Sequence, residues 1–262
     1  MTVYVITHKK FDKILPIGYK RLLVGASQKN KRNFPNYYKD DSGDNISDKN
    51  YSYCELTGMY WLWKHSNSDN VGISHYRRYF SNMSDLALDT ELMLHKDIGV
   101  AKEKYLDNAL KKYDWIVPRK KELYAKVYDN YDACHHIKDL KVTRQVISEK
   151  YPEYVKSFDK LMDQDKISCF NMLYTSKRNY DKYCEWLFNI LFEVEKRIDI
   201  TSYSQYQKRV FGFLAERLLN VYLIQNNYKI LYLNVFNTEN EQVGQRTKRD
   251  IKKIIKRALL IK

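Results

Sequence analysis

The chain has 262 residues, 44% hydrophobic and 30% charged, which is enough apolar chain for a large core and excludes wholesale disorder. Only 8 glycines and 4 prolines accompany 24 tyrosines, which argues against an all-β sandwich or a solenoid of tight turns. The net charge of +14 is unevenly placed: residues 246–262 hold eight Lys and Arg against one Asp, half of the excess.

Residues 2–7 are β-branched and aromatic and predict a buried first strand that runs into His8-Lys9-Lys10. Leu22 to Gly25 reads as a second strand, and Asp40 to Asn45 as a loop. From Ser47, a suitable N-cap, Tyr53, Leu56, Tyr60 and Trp63 recur at helical spacing up to Lys64. Residues 70–74 form a short strand that ends in His75-Tyr76-Arg77-Arg78. Trp115 to Val117 is a strand stopped by Pro118, and 132–149 is a helix. Residues 168–174 read as a strand, 180–198 and 211–226 as helices, and 230–235 as a last strand. The alternation predicts an α/β fold, a mostly parallel central sheet flanked by helices. One domain over 1–245, followed by a basic appendage over 246–262, is the simplest organisation.

In such a sheet, ligands sit beyond the carboxyl ends of the strands. Three polar groups fall there: Thr7-His8-Lys9, Gly25, and His75-Tyr76-Arg77-Arg78. Paired guanidinium forks beside a histidine suit a phosphate or diphosphate, although pairing with surface acids explains the arginines equally well. Asp40, Asp41 and Asp44 surround Gly43, but the run lacks a calcium-loop pattern and reads as a capped turn or a hydroxyl-binding loop. His135 and Asp139 share a helical face, either packed or as an oriented imidazole. Glu216 lies on a mostly apolar helix, either paired with Arg209 or Arg217 or kept there for function. The cysteines are Cys54, Cys134, Cys169 and Cys184; they lack the paired spacing of a zinc site and read as reduced thiols.

The strings VYVITHKKFD, DDSGDNISDKN, YCELTGMYWLWK, VGISHYRRYF, FNMLYTSKRNYDKYCEWLFNILFEVE and RVFGFLAERLLNVYL occur in this order. Together they resemble a bacterial family of capsular and exopolysaccharide biosynthesis glycosyltransferases, long catalogued as a domain of unknown function. The resemblance runs from about residue 2 to about residue 236. It implies a GT-A-like nucleotide-sugar-binding fold. The implied reaction is transfer of a hexose, galactose or galactofuranose by preference, from a UDP-sugar to a growing, lipid-linked surface polysaccharide.

By the same resemblance Thr7, His8, Lys9 and Gly25 line the nucleotide, and Asp44 and Asn45 the donor or acceptor sugar. His75, Arg77 and Arg78 neutralise the diphosphate, Asn171 faces the sugar, and Glu216 is the first candidate for the catalytic base. His136 with Asp139 behind it is the second. Most GT-A enzymes carry an Asp-x-Asp metal site where this chain has His75-Tyr76-Arg77-Arg78. The departure implies transfer without a metal, with manganese or magnesium as the alternative.

No secretory signal or long apolar run is present, so a cytoplasmic chain is expected. In 250–262, Ile251, Ile254, Ile255, Ala258, Leu259 and Leu260 alternate with Lys and Arg at roughly helical spacing. A basic amphipathic helix of this kind lies on anionic lipid, and would hold the enzyme peripherally at the inner face of the cell membrane. Packing of the stripe on the core is the alternative. Two rival functions are a basic nucleic-acid-binding module, which needs exposed aromatics among its cations, and a catalytically inactive partner in a polysaccharide assembly complex.

Overall fold

The computed structural model describes residues 2–29, 31–84, 87–88 and 99–238. The basic segment 246–262 lies outside the described residues. The chain opens with strands β1 (Thr2–Thr7), β2 (Tyr19–Leu23) and β3 (Tyr38–Lys39), then helices α1 (Asn50–Tyr53) and α2 (Leu56–His65). Strands β4 (Asn70–His75) and β5 (Arg78–Ser81) precede helix α3 (Glu103–Leu110) and strands β6 (Trp115–Pro118) and β7 (Lys121–Glu122). Helices α4 (Val127–Cys134), α5 (Ile137–Lys150) and α6 (Val155–Met162) lead to β8 (Lys166–Ile167) and β9 (Leu173–Ser176). Helices α7 (Lys177–Arg197) and α8 (Val210–Asn226) precede β10 (Ile230–Asn237).

The large sheet has the order β3-β2-β1-β4-β5-β10-β6-β9. Strand β9 also pairs with Asn70–Ile73 of β4, so the ladder from β4 through β5, β10, β6 and β9 returns to β4. Among the described strands, four of the eight pairings in this sheet are antiparallel, as is the separate β7–β8 pair, which corrects the expectation of a mostly parallel sheet. Parallel pairing is confined to the β3-β2-β1-β4 half and to β6–β10. The reason lies in HYRRYF: Tyr76 and Arg77 form a tight turn, and the strand doubles back with His75 opposite Arg78.

Strand β1 shows why both sheet faces are covered. With the period of two, Tyr4 and Ile6 enter the larger cluster with α2, α7 and α8, while Val3 and Val5 enter a second cluster with Tyr79, Phe80, Ile116 and Phe236. Helix α7 starts at Ser176, whose hydroxyl accepts the Asn179 N–H at 3.3 Å, and ends with Lys196 and Arg197 at its negative pole. Its buried stripe includes Tyr180, Tyr183, Leu187, Ile190, Leu191 and Val194, spaced for one helical face. No described helix is long and apolar enough to cross a membrane.

Three expected elements are interrupted. The 47–64 helix breaks at Cys54, whose φ of 51° is left-handed. The 132–149 helix breaks at His135 and His136, the residues between α4 and α5. Of the expected 168–174 strand only Leu173 and Tyr174 lie in a strand, β9, and before them comes a turn in which Phe170 (φ 81°) and Asn171 (φ 49°) are both left-handed. Backbone of this kind costs about 1–3 kcal/mol per residue and persists only where its surroundings hold it.

Candidate active site

In the sheet order, β1 is followed on one side by β2 and β3 and on the other by β4, so the chain changes direction between β1 and β4. A cavity of about 560 Å³ opens at the carboxyl ends of these strands, the position that open α/β sheets use for ligands. Thr7 and His8 reach it from β1, Val24 from β2, and His75, Tyr76, Arg77 and Arg78 from the β4–β5 turn. Asn50, Tyr51, Cys54 and Glu55 come from the α1–α2 break, and Phe170 from the left-handed turn before β9. Lys29, Gln205, Lys208, Arg209 and Glu216 complete the wall.

The wall therefore carries five Lys and Arg side chains and two carboxylates. Its field is visible at His8, whose pKa is lowered by partial burial and then by Lys29, Lys9, Arg77 and Arg209. Arg78 places its guanidinium 4.5 Å from the Phe170 ring centroid. Arg209 donates from Nε to Cys54 Sγ at 3.3 Å, while burial and Glu55 push the Cys54 thiol up to about 11. At neutral pH that sulfur stays protonated and is no nucleophile.

The Phe170 peptide joins the two halves of the wall. Its N–H donates to Glu216 Oε1 at 2.9 Å, and its carbonyl accepts from His75 Nε2 at 2.5 Å. A carbonyl only accepts, so the His75 proton sits on Nε2. Burial lowers the pKa of this imidazole, against the opposing pull of Glu55 and of the hydrogen bond to Phe170. Glu216 is half-buried at the cavity wall, with Arg217 Nη1 3.2 Å from Oε2. Burial, and Glu55 after it, raise its pKa, while Arg217, the Phe170 N–H and Arg78 oppose the rise.

The family model described as a domain of unknown function, DUF4422, matches residues 2–227. The chain belongs to the DUF4422 family. A solved structure described as the apo form of WbbM, a bifunctional glycosyltransferase, is 30% identical with a TM-score of 0.77. The match covers 91% of this chain and 45% of that one, so the DUF4422 chain spans less than half the length of that structure. No curated protein matches it.

Of the residues singled out from the sequence, this DUF4422 cavity brings together Thr7, His8, His75, Arg77, Arg78 and Glu216. Lys9 lies just beyond the rim, its Nζ 4.8 Å from the Tyr76 ring centroid. Gly25 is buried behind the wall at φ 62°, and a β-carbon there would fall 2.8 Å from Asn50 Oδ1. Asp44 and Asn45 stay in their turn: Asp44 accepts from the Tyr60 hydroxyl at 2.9 Å, and Asn45 Oδ1 accepts the Ser47 N–H at 3.1 Å. Neither lines the cavity.

Asn171 is 1% exposed and supports the wall from behind. Its Nδ2 donates to Glu55 Oε1 at 2.7 Å and to the Gly212 carbonyl at 3.1 Å. His136 and Asp139 also lie outside the lining. The His136 ring packs on Tyr203, with centroids 4.0 Å apart, and buried Asp139 accepts the Tyr203 hydroxyl at 2.8 Å.

The guanidinium groups at the β4–β5 turn of this DUF4422 chain donate hydrogen bonds and cannot ligate a cation. Among the described residues, no group of three His, Cys, Asp or Glu side chains could hold a metal ion.

Glu55 escapes the sequence reading, which places Asp40 only in a capped turn or hydroxyl-binding loop. Glu55 lies within the string YCELTGMYWLWK but is not singled out there, and it follows the chain break at Cys54 into the cavity wall. Asp40, 0% exposed, accepts from the Gly25 and Ala26 N–H groups at 3.0 Å each, Ser47 Oγ at 2.5 Å and Thr57 Oγ1 at 2.6 Å. It ties the end of β2 to α2 behind the site. Asp40→Ala leaves these buried donors unmet and is expected to cost about 3–5 kcal/mol, read by urea denaturation.

Proposed function

We propose that this chain is a glycosyltransferase that moves a hexose from a nucleotide-sugar to a growing glycan. One observation carries the reading: a cation-rich cavity at the β1–β4 switch point that also contains a carboxylate of raised pKa. The likeness to part of a bifunctional glycosyltransferase supports it. UDP is the donor nucleotide that the reading favours, with galactose or galactofuranose as the sugar and a lipid-linked surface polysaccharide as the acceptor.

The chemistry follows from charge. Breaking the bond between sugar and diphosphate leaves negative charge on the leaving oxygens, and Arg77, Arg78, Lys29 and Arg209 surround the space that receives it. Fixed guanidinium groups stabilise this charge more as it develops than in the ground state. Glu216 takes the proton of the attacking hydroxyl, and its raised pKa suits that transfer. His75, protonated on Nε2 and hydrogen-bonded to Phe170, holds the turn that presents Glu216. Asn171 holds Glu55 in the same way.

The nucleic-acid alternative needs exposed aromatics interleaved with its cations on one face; Tyr53, Tyr79, Tyr131, Tyr174, Tyr180 and Tyr183 are fully buried, and the exposed Tyr38, Tyr51, Tyr105, Tyr124 and Tyr206 lie on separate elements and loops. In this reading the domain spans 1–245 in a GT-A-like arrangement. The segment 246–262 holds the chain to the cytoplasmic face of the membrane.

The test is a thermal-shift and turnover screen against UDP-, GDP- and CMP-sugars, with and without excess chelator. Stabilisation by one donor class and glycosyl transfer in chelator are expected; no response to any donor would remove the reading. A bound diphosphate should also raise the His8 pKa, because a nearby negative charge favours the protonated ring. Proton uptake then makes donor affinity rise as pH falls toward that pKa. Histidine NMR titration with and without UDP reads the shift.

A further inference from the structure

Among the described residues, the exposed large hydrophobic side chains are tyrosines with two exceptions. Ile14 is 87% exposed and Ile17 is 96% exposed, both in the loop between β1 and β2. This loop is firmly anchored. Phe11 lies against the rings of Tyr37 and Tyr76, and Leu15 packs on the second core cluster. Arg21 Nη2 donates to the Lys13 carbonyl at 3.0 Å, the Tyr19 N–H to the Pro16 carbonyl at 3.1 Å, and the Val3 N–H to the Gly18 carbonyl at 3.0 Å. The anchors alternate with the isoleucines, so a braced loop presents both side chains outward.

Lys10, Lys13 and Lys20 flank the isoleucines, with Asp12 the acid among them. Two apolar side chains at the tip of a basic loop match the layers of an anionic bilayer, charge outside and hydrocarbon within. The position agrees. Lys13 Nζ lies 5.4 Å from the Phe236 ring centroid near the end of β10, and the Thr238 N–H donates to the Arg77 carbonyl at 2.9 Å. The loop, the end of the described chain and the cavity wall at Arg77 therefore share one side of the molecule. The basic segment 246–262 follows shortly after in the sequence.

We propose that residues 10–18 form a membrane-docking tip in which Ile14 and Ile17 insert into an anionic lipid bilayer. The proposal rests on the loop and not on glycosyl transfer, so donor turnover in solution and vesicle binding can fail separately.

The test is flotation of the full chain with phosphatidylcholine vesicles, alone or with phosphatidylglycerol. The wild type is expected to float with the anionic vesicles. Ile14→Ser/Ile17→Ser should float about tenfold less at an unchanged melting temperature, since both side chains already face water. In a second variant, Ile17→Trp, lipids with brominated acyl chains should quench fluorescence beyond the wild-type level. Unchanged flotation of the double variant, or absence of added quenching, overturns the proposal. So does a blue-shifted signal from the introduced indole without vesicles that brominated lipid leaves unquenched, which would mean that another part of the chain covers the tip. A concentration-dependent dimer lost in the double variant, with no flotation of either protein, would assign the tip to a second copy instead.

Discussion

Arg78→Ala is expected to lower kcat/KM for the nucleotide-sugar by about 10²–10³-fold, the usual scale for removing a fixed donor from developing charge. Arg78 opens β5 directly opposite His75, and its guanidinium lies over the Phe170 ring. It faces Glu55 and Glu216 as well as the cavity. The substitution therefore acts twice: it removes a cation from the diphosphate and relieves Glu216 of one of the charges that restrain its raised pKa. The acid limb of the kcat/KM profile should move to higher pH. Arg78→Lys should recover part of the loss, because it restores the charge without the planar fork. Unchanged kinetics in Arg78→Ala, at an unchanged melting temperature, would remove this residue from donor binding.

Glu216→Gln is expected to lower kcat by about 10²–10⁴-fold, the range associated with a positioned base. The change keeps the size of the side chain and an oxygen for the Phe170 N–H, so the left-handed turn should survive. A base works ionised. In the wild type the rate should therefore fall as pH drops through the raised Glu216 pKa, and that limb should disappear in the variant. His136→Ala is the contrast. Its ring packs on Tyr203 away from the cavity lining, so loss of stability with near-normal turnover per folded molecule is expected. Near-normal turnover in Glu216→Gln, together with its loss in folded His136→Ala, would reverse the assignment.

Much of the scaffold was legible in the amino acids because local physics governs it. The β-branched and aromatic run of β1, the helical stripe of α7 and the apolar α8 each need burial whatever surrounds them. The arginines of HYRRYF and the lone carboxylate of α8 were visible for the same reason, as charges in places where charge is costly. The acidic loop was harder. Asp40, Asp41 and Asp44 look alike in sequence, yet Asp40 is buried as a four-bond acceptor while Asp44 faces solvent.

The sequence by itself determined a mixed α/β chain with a concentrated basic segment, a histidine and two arginines at a strand end, and an acid on an apolar helix. These follow from composition, periodicity and the cost of burying charge. Only the tertiary structure decided strand direction, because a hairpin and a continuing strand read alike when two residues make the turn at Tyr76 and Arg77. It also decided which carboxylates meet the cations. Left-handed backbone at Cys54, Phe170 and Asn171 accompanies Glu55 in the cavity wall and Asn171 behind it, while Asp139 lies with Tyr203. Such conformations are unfavourable for these residues in isolation, so the packing around them has to hold them in place.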